Sequence, residues 1–292
     1  MRRPSFLMGM CLFLCLLTGC AGNTESPATP SDSPKSAPAS SAKANESLLS
    51  EDSVPLFMTL RIVSGAETGN LVLAENSETG TGVYTLSTQT LSRKALPKEP
   101  LQDGQLINVY YETFTESWPM DFGGVSSIEI ADGSFDNRAA LYLRVLEDLW
   151  DKDSGLNDGV EIVGVDLSQT SLFPAEQSAV AWVFAENHGT DLVEGSLEEL
   201  IDHGCITAVP LSSTGSGVDL TDPKYYWYLW ENGCHFSITE PPEESTASHT
   251  LSLFDAQKWR SSMGAYFFSN CWLIPSETDG WSDYSVGAEA IS

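Results

Sequence analysis

From Leu56 onward the chain is cut into short apolar, β-rich runs by Gly, Asn and Asp. Leu56–Val63 ends at Ser64-Gly65, and Asn70–Ala74 follows Gly69. Gly82–Ser87, Leu106–Tyr111 after Asp103-Gly104, and Val125–Ile130 before Asp132-Gly133 complete the set. Runs of this length, rich in Val, Ile, Leu and Tyr and closed by turn formers, are too short for helices and right for strands. Five of them within about 80 residues predict a small all-β barrel or sandwich.

The segment before these strands is of another kind. Arg2 and Arg3 precede an apolar run from Phe6 to Leu16, and Leu17-Thr18-Gly19-Cys20 follows. A basic start, a short apolar stretch and small residues before a cut define a secretory leader, residues 1–19. The run is too short to span a bilayer. The last four residues resemble the lipobox of bacterial lipoproteins. That resemblance implies that Cys20 is lipidated and becomes the mature N-terminus, which places the protein on the extracytoplasmic face of the cell membrane. Residues 20–50, rich in Ser, Ala, Pro and Thr and without an aromatic residue, then read as a disordered linker.

Charge narrows the partners. Losing Arg2 and Arg3 with the leader leaves 12 basic residues against 41 acidic ones, a net of −29. Such a chain offers no basic footprint for phosphates, so nucleic acid is excluded as a partner. An anionic membrane surface repels it, so lipid alone would hold it there. The bland reading of the acidity is solubility outside the cell. A cationic ligand, a metal ion or a basic partner is the functional one. Of the six cysteines, Cys205, Cys234 and Cys271 remain after the leader and the lipidated residue are set aside. An odd count argues against a closed disulfide framework.

A second resemblance lies in the strand region. Asp103-Gly104-Gln105-Leu106-Ile107-Asn108-Val109-Tyr110-Tyr111, Glu116-Ser117-Trp118-Pro119 and Val125-Ser126-Ser127-Ile128 are similar to small OB-like domains of unknown function found in lipoproteins of Gram-positive bacteria. Trp118 stands where that family usually has Tyr. The resemblance covers residues 54–133 and implies a fold and a setting, with no catalytic residues to carry over.

After Asp136 the period changes. Arg138–Trp150 is helical, with 139, 142, 143, 146, 149 and 150 on one face. Glu161–Asp166 reads as a strand. Pro174 opens a second helix that Gly189 closes, and Ser196-Leu197-Glu198-Glu199 opens a third with a capping box. Tyr225–Trp230 and Cys234–Thr239 read as a hairpin around Glu231-Asn232-Gly233. Strands follow at Thr250–Phe254, Gly264–Ser269 and near Trp281–Ile291. The predicted fold class is therefore α+β overall: an OB-like β-barrel domain at 51–135, then an α+β domain at 136–292 with helices packed on an antiparallel sheet.

Two candidate sites follow. In the predicted strand Tyr226, Tyr228 and Trp230 share one face, an aromatic row suited to a sugar ring or to an apolar patch of a partner; burial of both faces is the bland alternative. Asp151, Asp153, Asn157 and Asp158, with Gly155 and Gly159, supply the oxygen ligands that calcium takes. Counting Asp151 as position 1, however, Leu156 replaces the EF-hand glycine and Ile162 the glutamate, and an Asp/Asn/Gly turn explains the same residues. His188, His203, Cys205, Cys234 and His235 have zinc-ligand chemistry without zinc-site spacing. Glu198-Glu199 and Glu243-Glu244 are carboxylate pairs of the kind glycosidases use, but a helix start and a Pro-rich loop are ordinary places for solvated acids. Nucleophile-elbow, phosphate-loop, dinucleotide and zinc-protease motifs are not found, which weakens an enzymatic reading. The expected protein is a monomeric, lipid-anchored binding or interaction protein needing no cofactor, with an envelope glycan, peptide or protein as partner. A cell-envelope hydrolase and a calcium-dependent adhesion or sensing module are the alternatives.

Overall fold

The computed structural model describes residues 56–210, 226–242 and 252–292. The leader, Cys20, the 20–50 segment, Tyr225 and Glu243-Glu244 lie outside the described residues. The first half forms β1 (Leu56–Ser64), β2 (Asn70–Glu75), β3 (Val83–Ser87), β4 (Leu106–Tyr111), β5 (Thr113–Phe114), β6 (Met120–Gly123) and β7 (Ser127–Ile130). They make one sheet in the order β5-β6-β3-β2-β1-β4-β7. Alternation gives this sheet two apolar faces. Leu60, Ile62, Leu71, Leu73, Ile107, Val109 and Ile128 build a core on one side. Val63, Val72, Ala74 and Val83 point to the other.

That second face is covered by α1 (Arg138–Asp151) and α2 (Pro174–His188). Behind them lies a nine-stranded sheet built from β8 (Ile162–Gln169), β9 (Asp191–Glu194), β10 (Thr207–Pro210), β11 (Tyr226–Leu229), β12 (Gly233–Thr239), β13 (Leu253–Ser261), β14 (Gly264–Pro275), β15 (Trp281–Ser285) and β16 (Ala288–Ile291). α2 touches β1, β2 and β3 on one side and β8 and β9 on the other. Its small residues Ala175, Ala179, Ala181 and Ala185 are buried, which lets two sheets approach one helix. A short third helix, α3 (Leu197–Asp202), begins at Ser196, whose Oγ accepts the Glu199 N–H while the Glu199 carboxylate accepts the Ser196 N–H. α3 and the β10–β11 ribbon enclose a separate small core of Leu200, Ile206, Trp230, Trp259 and Ala265.

This arrangement corrects the predicted fold class. The described residues are 44% strand and 21% helix, organised around two curled sheets that are half-barrels. The first sheet stays open among the described residues instead of closing as an OB-like barrel. The second is mixed, because β12-β8 and β8-β9 pair parallel. The helices do not lie on the outside of an antiparallel sheet, as the α+β reading had them; the two longer ones fill the space between two sheets, and their burial reaches both. The strands divide between the sheets at about residue 135, while Asp52–Ser292 packs as one compact unit with Val63 and Val72 in the same core as Phe184 and Phe236.

The predicted hairpin also fails. β11 pairs with β10, and with β13 at Leu229↔Ser261, whereas β12 pairs with β8 and β13. The cause is local. Trp230 leaves the strand and lays its indole over Gly233, where a Cβ would lie 2.0 Å from Cε2. The Asn232 carbonyl then accepts the N–H groups of Glu161 and Ile162, which ties the turn to β8. Gly233→Ala is expected to push Trp230 out of its core at a cost of about 1–3 kcal/mol. Red-shifted tryptophan emission with a lower urea midpoint would show it; unchanged emission and midpoint would refute the Trp230–Gly233 contact.

Candidate functional site

A cleft of 410 Å³ opens where the start of β4, the end of β7, the approach to α1 and the β14–β15 loop converge. Gln102, Gln105, Phe135, Asn137, Asp279 and Trp281 are among its lining residues. Its walls are fixed by hydrogen bonds. Asn137 Nδ2 donates to the Trp281 carbonyl at 2.7 Å, and the Trp281 N–H donates to Asn137 Oδ1 at 2.9 Å. This pairing holds the loop against the start of α1. Gly280 makes it feasible: its φ is +70°, and a Cβ there would lie 2.7 Å from both Asn137 Oδ1 and the Phe135 ring. The Arg138 guanidinium sits 5.9 Å from the centroid of the Trp281 ring.

Behind the cleft wall is a buried charge. Arg61 on β1 donates through Nη1 to the carbonyls of Gly104 (2.8 Å) and Ser134 (3.1 Å), and through Nη2 to Asn76 Oδ1 (2.9 Å). Its Nε lies 2.8 Å from Glu176 Oε1 of α2 without hydrogen-bond geometry, so that contact is coulombic. Both side chains are buried. Burial pushes the Glu176 carboxyl above its usual range, and the Phe173 N–H and Arg61 pull it back. The cleft therefore presents two rings, amides and hydroxyls at a place where sheet and helix are pinned together.

A smaller notch of 210 Å³ lies at the carboxyl ends of the parallel strands β8 and β9, lined by Asp166, Ser168, Gln177, Glu194 and Glu199. Such strand ends are frequent ligand sites in α/β sheets. Here the carboxylates have local partners. Ser178 Oγ donates to Glu194 at 2.8 Å, and Glu199 caps α3. Burial raises the Glu194 pKa, and the Ser196 bonds lower that of Glu199.

The sequence-predicted sites fare as follows. Trp230 is 2% exposed and belongs to the core under α3. Tyr226 and Tyr228 are half-buried, their ring centroids 6.4 Å apart, and Tyr228 packs against that core. The three residues do not form an exposed row. In the acidic loop, Asp151 ends α1, Asp153 adopts φ 42°, the Asn157 amide donates to the Trp150 carbonyl, and Asp158 is exposed. Among the described residues no group of three His, Cys, Asp or Glu side chains is placed to hold a metal. Two cations of β13 bond this loop: the Arg260 guanidinium donates to the Leu156 carbonyl, and the second is the ammonium of Lys258. It is fully buried and donates to the carbonyls of Trp150 (3.0 Å), Lys152 (2.6 Å) and Asp153 (3.4 Å).

The zinc candidates are dispersed. Cys205 is exposed, and Cys234 is buried with its thiol pushed up to about 12. His235 faces the opposite side of β12 and bonds the Gly195 carbonyl, while His188 bonds Glu147. The cleft residues escaped the sequence reading. Gln102 and Phe135 sit in loops with no periodicity and Trp281 opens a strand; the turns Asp103-Gly104 and Asp132-Gly133 nearby are the signals the sequence offers. No protein-family model, curated protein or solved structure matches this chain.

Proposed function

We propose that this chain is an extracytoplasmic binding protein, tethered through lipid on Cys20, and that the cleft at Phe135 and Trp281 takes its ligand. The observation that carries the reading is the pairing of two aromatic rings with the amides of Gln102 and Gln105 in one cleft. Rings cover the apolar face of a sugar or peptide unit, while amides exchange hydrogen bonds with its hydroxyls or backbone. A neutral, polar envelope glycan or peptide suits that lining better than an anion, because Asp279 stands at the rim and the chain is strongly acidic.

The test is calorimetric titration of the purified protein with wall glycan fragments and wall peptides. Trp281→Ala and the more exposed Gln102→Ala should each weaken binding about tenfold or more while the melting temperature confirms folding. Equal binding by both variants would refute the cleft assignment. Anchoring is tested separately. Cys20→Ala should release the protein into the medium or leave the leader uncut, since acyl chains supply about 0.8 kcal/mol per buried CH₂. Retention equal to that of the wild type would remove the lipid anchor from the reading.

A further inference from the structure

At the end of the first sheet opposite the cleft, apolar side chains are presented to solvent. β4 leads from the cleft at Leu106 to Tyr111, and there β1 begins and the β5–β6 hairpin folds over. Phe57 and Trp118 are 54% and 51% exposed, and Leu56 and Phe114 are exposed beside them. Two of them rest on rings, Phe114 on the face of the sheet that carries Leu60 and Val109, and Phe57 on the opposite face. The Phe122 ring lies 4.9 Å from Tyr84 and 5.0 Å from Tyr111, Phe114 contacts the same two tyrosines at 5.9 Å, and Phe57 packs on Tyr110 at 5.4 Å. Phe114 and Trp118 are exposed on one hairpin, and large apolar side chains grouped in water mark a contact region.

The charge around it is of one sign. On the hairpin, residues 112–123 contain three Asp and Glu and no Lys or Arg. Glu112, Glu116 and Asp121 are exposed on the hairpin that carries Phe114 and Trp118. Among the described residues none of the three is ion-paired. We infer that this end of the sheet docks a basic polypeptide segment bearing apolar side chains. The carboxylates meet the cationic heads, and the rings take the aliphatic stems and the apolar residues between them. The outer edge of β5, which among the described residues pairs only with β6, offers backbone groups to an extended segment. The same carboxylates repel an anionic bilayer, and a second copy of the chain would bring like charges together.

Fluorescence anisotropy of a labelled peptide of alternating Lys and Leu, titrated with the purified protein, tests this. A matched Glu–Leu peptide and phosphatidylcholine/phosphatidylglycerol vesicles are run in parallel. Saturable one-to-one binding of the Lys–Leu peptide alone is expected. Trp118→Ser, and Glu112→Gln with Glu116→Gln, should each weaken it about tenfold or more at an unchanged melting temperature. Asp279→Asn at the distant cleft should leave it unaltered. Peptide binding that ignores Trp118→Ser would reduce the effect to diffuse attraction by an acidic protein and overturn the inference. Failure to bind the peptide, or Trp118-dependent binding to vesicles alone, would overturn it equally. Glycan or wall-peptide binding in the cleft is measured independently, so either assignment can fail without the other.

Discussion

Replacing Arg61 with Met is expected to destabilise the protein by about 3–5 kcal/mol, the usual cost of leaving one partner of a buried ion pair behind. Arg61 is a single charged residue between Leu60 and Ile62, and its head reaches four places at once: Glu176 on α2, the carbonyls of Gly104 and Ser134, and Asn76. Met fills much of the stem volume but leaves the Glu176 carboxylate unpaired against the sheet. The sign of the pH dependence follows from Glu176. Its pKa in the folded state is raised by burial, so the folded chain holds that proton more tightly than the unfolded one. Its contribution to stability therefore falls as pH rises from the ordinary carboxylate value through the raised one. Without Arg61 the rise is larger, so the variant's deficit should be greatest near neutrality and shrink on acidification. Arg61→Met with Glu176→Gln should recover part of the loss, because no uncompensated charge remains. Urea unfolding at several pH values measures all three. A deficit below about 1 kcal/mol, or one that grows on acidification, would show that the pair does not join sheet to helix.

The sequence announced local structure well and assembly poorly. β1, β2 and β4 follow the apolar runs because a one-residue slip would turn their core side chains to the wrong face. The starts of α2 and α3 were legible because Pro174 and Ser196 are chemical start signals. What periodicity does not encode is which neighbour covers a face. α1 was expected to bury a stripe through 142, 146 and 149, yet Leu141 and Val145 are buried too, because α1 lies between two sheets. The strand runs gave no hint that β8 and β12 pair parallel, since runs buried on both faces have little alternation to read, and β9 is a short strand with exposed ends outside the predicted runs. Asn232-Gly233 looked like a hairpin turn, and only the indole of Trp230 over Gly233 shows why it is not one. The cleft escaped because its residues come from positions as far apart as 102 and 281, at strand ends and in loops that no local pattern brings together.

The acidic loop is bonded by a lysine ammonium, and it yields the second large expected effect. Lys258→Met should destabilise the protein by about 3 kcal/mol, because hydrogen bonds from a charged donor contribute about 1.5–3 kcal/mol and buried acceptors would lose theirs. The ammonium caps the end of α1, where it shares the Trp150 carbonyl with the Asn157 amide and the dipole favours positive charge. Burial holds its pKa below the usual lysine value, so desolvation offsets part of what the three carbonyls supply. Met keeps the packing of the stem against Trp150, whose ring centroid lies 6.0 Å from Nζ, and removes only the charge and the donors. The loss should appear as faster amide exchange at Lys152–Leu156 together with a lower urea midpoint. Calcium separates this account from the reading of Asp151, Asp153, Asn157 and Asp158 as a metal site. With a lysine ammonium already bonded to the loop carbonyls, millimolar calcium should leave the wild-type melting temperature unaltered, since a second cation would have to enter beside a buried positive charge. A calcium-induced rise in that temperature, abolished by Asp151→Asn with Asp153→Asn, would show that the loop binds metal and that Lys258 does not occupy its place.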